Sequence, residues 1–123
     1  MSDLVDLSTI APFDVWGEAV RARKVEGDNI TLAVVELAPG CVVPEHRHPQ
    51  EQLGICITGM VTFTIGDETR ELGPGGTWRI LSEVPHTVTA GPDGAVVMDV
   101  FSPTRSDWHF PFLDPRPPVW PRP

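Results

Sequence analysis

The sequence predicts an all-β chain closed into one small barrel. Three observations carry that expectation: period-two alternation of apolar and polar residues, a turn signal about every ten residues, and many prolines and glycines. With 123 residues the chain has room for one adequate core but not for two. Its fourteen prolines and eleven glycines favour short strands joined by turns over long helices.

Residues 1–29 carry scattered apolar positions, Phe13, Val15, Trp16, Val20 and Val25, separated by charges. A leading segment and an edge strand are expected there. The run ITLAVVEL at 30–37 is β-branched, with Asn29 before it and Pro39-Gly40 after it, and reads as a strand and a turn. Its Glu36 suggests one solvated face. Segments 52–58 and 60–65 flank Gly59, and Gly66-Asp67 leads into 68–72, so a meander of hairpins is expected. In MVTFTI, Val61, Phe63 and Ile65 alternate with Thr62 and Thr64, the pattern of a half-buried antiparallel strand. Gly73-Pro74-Gly75-Gly76 breaks the sheet before TWRIL, and Gly91-Pro92-Asp93-Gly94 separates HTVTA from AVVMDVF. The barrel is therefore placed at 30–102. The remaining residues, 103–123, hold six prolines from Pro111 onward among Trp108, Phe110, Phe112 and Trp120. Such a tail cannot continue a sheet, but its aromatics predict packing on the barrel or on a partner.

Charge narrows the functional classes. The formal net charge is -8 and the pI is near 4.7, with no Lys/Arg cluster to offset the excess. Nucleic acid is not an expected partner, since its phosphates would be repelled. No apolar run approaches the roughly 20 residues that span a bilayer, and no basic n-region opens the chain, so a cytoplasmic protein with no membrane partner is expected. Cys41 and Cys56 match neither zinc-ribbon nor CxxC spacing and read as buried free thiols.

The stretch GCVVPEHRHPQEQLGICITG at 40–59 carries the chemistry. In extended backbone, residues i and i+2 share a face, so His46 and His48 can aim two imidazoles at one centre. With the strand resuming near Glu51, Gln52 joins that interior face with Gly54, Cys56 and Thr58, while Leu53, Ile55 and Ile57 face outward. His86 begins a later strand behind Pro85, with Val88 and Ala90 on its inward side. Three imidazoles and an amide suit a divalent metal such as Zn, Ni, Mn or Fe. By parity Asp99 and Phe101 project into the same cavity. Asp99 is placed as a general acid/base and Arg105 as a clamp for a substrate carboxylate; the alternatives are an Asp99 that caps a turn and an Arg105 on the surface. His109 has no such company and reads as a tail residue. The outward apolar row, repeated by Met98 and Val100, suggests burial in a homodimer, although a covering N-terminal strand would explain it equally.

Gly40 followed by His46-Arg47-His48, Gln52 and Gly59 resembles the first cupin motif, and 75–86 resembles the second. The resemblance implies a double-stranded β-helix, or jelly roll, with one divalent metal ion held by His46, His48, Gln52 and His86. The sequence departs from the motifs at Gln52, where glutamate is usual, at Leu81 and Glu83, where proline and glycine are common, and at Ala90 in place of asparagine. A neutral amide leaves a bound ion nearly its full charge, which favours polarising a substrate oxygen over redox work. A one-residue register change would put Glu51 in place of Gln52. The order of these residues, followed by Asp99, Phe101 and Arg105, is similar to the pectin-degradation cupins, small dimers that linearise 4,5-unsaturated uronates. That likeness implies a proton-transfer role for Asp99, carboxylate binding by Arg105 and a pocket-lining Phe101. An Fe(II)-dependent dioxygenase and a non-catalytic small-molecule-binding cupin are the competing readings.

Overall fold

The structure is a computed structural model, and it describes residues 2–122. Eight strands form it: β1 (Phe13–Asp14), β2 (Val20–Glu26), β3 (Thr31–Leu37), β4 (Val42–His46), β5 (Glu51–Ile65), β6 (Glu68–Leu72), β7 (Thr77–Ile80) and β8 (His86–Ser102), after a 3-10 turn at Leu7–Thr9. The all-β jelly-roll expectation holds. Among the described residues no helix is long and apolar enough to cross a membrane.

Two long antiparallel strands, β5 and β8, form the spine. The first part of β8 pairs with β4 and its second part with β3. The first part of β5 pairs with β7 and its second part with β6. Each long strand therefore passes from one layer to the other. One layer runs β1-β2-β3-β8-β5-β7, the other β4-β8-β5-β6, and the core lies between them.

This architecture corrects two expected turns. Gly59 does not end a hairpin: β5 runs through it, with register shifts at Cys56/Thr58 and Gly59/Val61. Its φ is +80°, and a Cβ there would collide with the Gly94 carbonyl, so the crossover of the spine needs glycine at this point. Likewise Gly91-Pro92-Asp93-Gly94 lies within β8 rather than between two strands. The bulge also reverses Thr58, which is exposed although Gln52 and Cys56 on the same strand are buried. Elsewhere the parity holds: Val61 and Phe63 are buried, as are His86, Val88 and Ala90.

The ends of the chain wrap the barrel. β2 lies inside the sheet, with the two-residue β1 as its outer neighbour. Phe13, almost fully buried, stacks on Phe110 and meets Trp108 and Phe112 edge-on. The tail thus packs on its own barrel. Arg23, 2% exposed, pins both ends: Nε donates to the Ile10 carbonyl, Nη2 to the Arg116 carbonyl at 2.7 Å, and Nη1 to Glu36 at 3.0 Å. Glu36 also accepts from the Val119 amide, so the expected solvated face of β3 is partly covered. Cys41 and Cys56 are free thiols, Cys56 buried and Cys41 half-buried.

Candidate metal centre and cavity

His46 and His86 are direct cross-strand partners on β4 and β8, and His48 follows in the turn that leads into β5. The turn brings the three rings together, with centroids 4.3, 4.9 and 5.8 Å apart. One ligand atom from each lies within 4.8 Å of the others. The clustering follows from strand pairing plus a two-residue step past the strand end.

The hydrogen bonds fix which nitrogen is free. Each Nδ1 lies 2.9 Å from a backbone carbonyl, Pro44 for His46, Gln50 for His48 and Val84 for His86. A carbonyl only accepts, so each Nδ1 carries a proton, which leaves Nε2 as the nitrogen whose lone pair can face the cluster. Such backbone acceptors are the outer-shell partners that orient metal-bound histidines.

Two features show that the group fits a cation. His86 Nε2 is buried and has no hydrogen-bond partner among the described residues. His48 Nε2 lies 3.2 Å from Gln52 Oε1, and the Gln52 amide is oriented by Nε2 donating to Asp99 Oδ1 at 2.9 Å. Two acceptors therefore face one another in a buried place, an arrangement that a positive ion between them would satisfy. Burial keeps the imidazoles ready for this. It lowers His48, aided by the positive charge of Arg105, and it pulls His86 down to about 4. Both are neutral at pH 7. Glu51, the alternative to Gln52, is exposed on the opposite face of β5.

Beside the cluster lies a cavity of about 280 Å³. His46, Gln52, His86, Asp99, Arg105 and Asp107 are its polar lining residues, and the rest of the wall is aliphatic and aromatic. Asp99 is buried, and desolvation raises its carboxyl to about 6 although Gln52 and Trp78 both donate to it. Trp78 Nε1 lies 2.8 Å from Oδ1, the same oxygen that Gln52 reaches. Oδ2 is thus the oxygen left for a bound molecule.

Phe101 is buried on β8, packs edge-on against His48 and lines the cavity. Arg105 is also buried, its guanidinium 4.7 Å from the Phe101 ring and 4.4 Å from the Trp108 ring. It is not a surface residue, but its Nε and Nη2 are engaged by Asp107 at 3.1 and 2.9 Å. That ion pair, above all its hydrogen bond, holds Asp107 below the usual carboxylate range. His109 is exposed, as expected of a tail residue.

Sequence reasoning missed Trp78, Asp107, Trp16 and Gln50. Trp16, 41% exposed, sits 5.5 Å from the His46 ring and lines the cavity. Gln50 Nε2 donates to the Thr104 carbonyl and to Asp107, tying the His48 turn to the Arg105 turn. One signal was legible: a tryptophan on an inward strand position needs a partner for its N–H, and Trp78 has that position in TWRIL.

Comparisons with known proteins agree with this fold. The Cupin_2 family of cupin domains matches residues 33–101. The pectin degradation protein KdgF of Dickeya dadantii is 25% identical over 99 residues, 79% of this chain and 90% of that protein. An RmlC-like cupin from Shewanella frigidimarina superimposes with a TM-score of 0.80 at 18% identity, over 87% of this chain and 96% of that one. The structure of KdgF from a Halomonas species gives 0.79 at 23% identity, over 87% of this chain and 98% of that one.

Proposed function

The chain belongs to the Cupin_2 family of cupin domains, and from that footing we propose that it is a metal-dependent enzyme that opens the ring of a small unsaturated uronate by acid–base catalysis. The observation that carries this reading is the Gln52 amide, which faces the histidine cluster through Oε1 and holds the carboxylate of Asp99 through Nε2. Proton transfer and cation binding are thereby joined by one side chain. The likeness to KdgF, a pectin degradation protein, supports a uronate over other small acids.

His46, His48, Gln52 and His86 would hold one divalent ion, which when bound supplies Lewis-acid polarisation of a substrate oxygen. Asp99 exchanges a proton with the substrate at Oδ2. Its raised proton affinity places it close to working pH, where a group can both take and release a proton. Arg105 attracts the substrate carboxylate with the arm that Asp107 leaves free, and Asp107 keeps the guanidinium in place. Phe101 and the aliphatic wall exclude water, which strengthens each of these polar contacts.

The outward apolar row supports assembly as a homodimer. Leu53 and Ile55 are 49% and 39% exposed, and their cross-strand neighbours Val100 and Met98 on β8 are half-buried, forming one contiguous apolar face. The N-terminal strands do not cover it, because they pair at the far edge of β3. The two free thiols support a reducing, cytoplasmic location.

The test is elemental analysis of the purified protein followed by ultraviolet monitoring of unsaturated uronate loss. One bound ion per chain and a rate well above spontaneous ring opening are expected. Asp99→Asn should abolish turnover with metal content unchanged. Oxygen consumption that depends on Fe(II), with no uronate turnover, would replace this reading with a dioxygenase.

A further inference from the structure

Asp99 owes its orientation to a glycine on the neighbouring strand. In register, Trp78 of β7 and Asp99 of β8 both lie opposite Gly54 of β5. Adjacent strands are about 4.8 Å apart, so the backbones of Trp78 and Asp99 are separated by roughly 10 Å with Gly54 between them. A side chain at 54 would occupy that gap: a Cβ there would collide with Trp78 Nε1 and Asp99 Oδ1. Because residue 54 has none, the indole lies across it and reaches Oδ1 at 2.8 Å.

The indole is itself held. Trp78 is 5% exposed, and Phe63 packs on it with ring centroids 4.4 Å apart. Gln52 brings the second donor to the same oxygen. Two rigid N–H donors on Oδ1 set the carboxylate plane and turn Oδ2 toward the cavity that Asp99 lines. Any buried tryptophan needs a partner for its N–H; here the missing side chain at Gly54 is what lets that partner be the Asp99 carboxylate.

We propose that Trp78, admitted by the gap at Gly54, is a positioning residue that aims Oδ2 of Asp99 at the substrate. This rests on the acid–base reading of Asp99. Trp78 does not line the cavity; it acts through the carboxylate. Residue 54 is correspondingly restricted to glycine by the function of its neighbours, since its backbone adopts no positive φ that would demand glycine for local reasons.

The decisive variant is Trp78→Phe in the full-length, metal-loaded protein, which keeps the ring against Phe63 and removes the N–H. A hydrogen bond to a charged group corresponds to roughly a ten- to hundredfold change in rate, so kcat should fall by that factor. KM should stay within about twofold and metal content at the wild-type value, because uniform binding is untouched. Gly54→Ala, whose Cβ would push apart the indole N–H and the Asp99 carboxylate while both side chains are retained, should also lower kcat, and wild-type kcat in that variant counts against the proposal. Wild-type kcat in Trp78→Phe overturns the proposal, as does a loss matched by loss of metal or by an equal rise in KM. A second readout is independent of turnover: the indole N–H resonance of Trp78 in a ¹⁵N-labelled sample should move in Asp99→Ala. Should wild-type protein turn over no unsaturated uronate, the proposed reaction fails, and the resonance alone then decides the positioning; an unmoved resonance rejects it.

Discussion

Replacing Gln52 by glutamate tests why an amide stands in the ligand cluster. In the structure its Nε2 donates to Asp99 Oδ1 at 2.9 Å, and both side chains are buried. In Gln52→Glu a carboxylate oxygen occupies the place of that donor. Two unit charges 2.9 Å apart at an effective dielectric of ~20 repel by about 6 kcal/mol. Repulsion of that size raises the proton affinity of one member of the pair roughly ten-thousandfold. A cation held by His46, His48, His86 and the new carboxylate would offset only part of the repulsion, so at neutral pH the pair retains one proton between them. Asp99 then loses its donor and its free exchange of the proton, while the ligand cluster gains a charge. The expected outcome is undiminished metal content with kcat lowered at least roughly tenfold at pH 7 and an acid limb displaced to higher pH. Metal content is read by elemental analysis, and kcat by loss of unsaturated uronate absorbance across the acid and alkaline limbs. Wild-type kcat and an unmoved pH profile in Gln52→Glu would refute the reasoning, since they would mean that the amide does not couple the cluster to Asp99.

Three further outcomes are expected. In metal-free protein, Asp99, raised to about 6, stabilises the fold at low pH and loses that contribution as pH rises through about 6. His86, lowered to about 4, acts oppositely: its unfolded form takes up a proton below its ordinary value, so its contribution is present at high pH and disappears as pH falls toward 4. The two nearly cancel between about pH 4 and about pH 6, so Asp99→Asn should make stability climb more steeply with pH over that interval than in wild type; urea midpoints at matched pH values check this, and identical slopes contradict it. Arg23→Ala removes hydrogen bonds to Ile10, Glu36 and Arg116 together, and should cost about 2–4 kcal/mol by denaturant unfolding, with faster amide exchange in the tail; a loss below the error of the method would show that the tail is held by its aromatics alone. Ile55→Glu puts a charge in the centre of the outward apolar face of β5 and β8 and should convert a dimer to a monomer in sedimentation analysis, whereas an unchanged sedimentation coefficient would place the interface elsewhere.

Much of the site was legible because its geometry is local. Strand parity alone put Gln52, Cys56, Val88, Ala90, Asp99 and Phe101 on the inner face, and a period of two needs no knowledge of the partner strand. The motif spacing from Gly40 to Gly59 and from Gly75 to His86 likewise grouped the histidines and the amide from the chain alone. Where a local rule met a long-range one, it failed. Gly59 and the 91–94 segment read as turns because glycine and proline usually make turns, but here the two long strands need an irregular crossing point to pass between layers. Thr58 departs from its expected inner face for the same reason, since one bulge inverts the parity of the residues beyond it.

The sequence by itself determined an all-β barrel, the candidate ligands and the inward carboxylate, because alternation and short spacings are properties of a single strand. Tertiary structure alone decided that Gln52 and Trp78 share one oxygen of Asp99, that Gly54 makes room for this, and that Arg105 is tied to Asp107 rather than standing free. Those contacts depend on which residues of separate strands fall opposite one another, and register between strands far apart in sequence is set by the closing of the whole sheet.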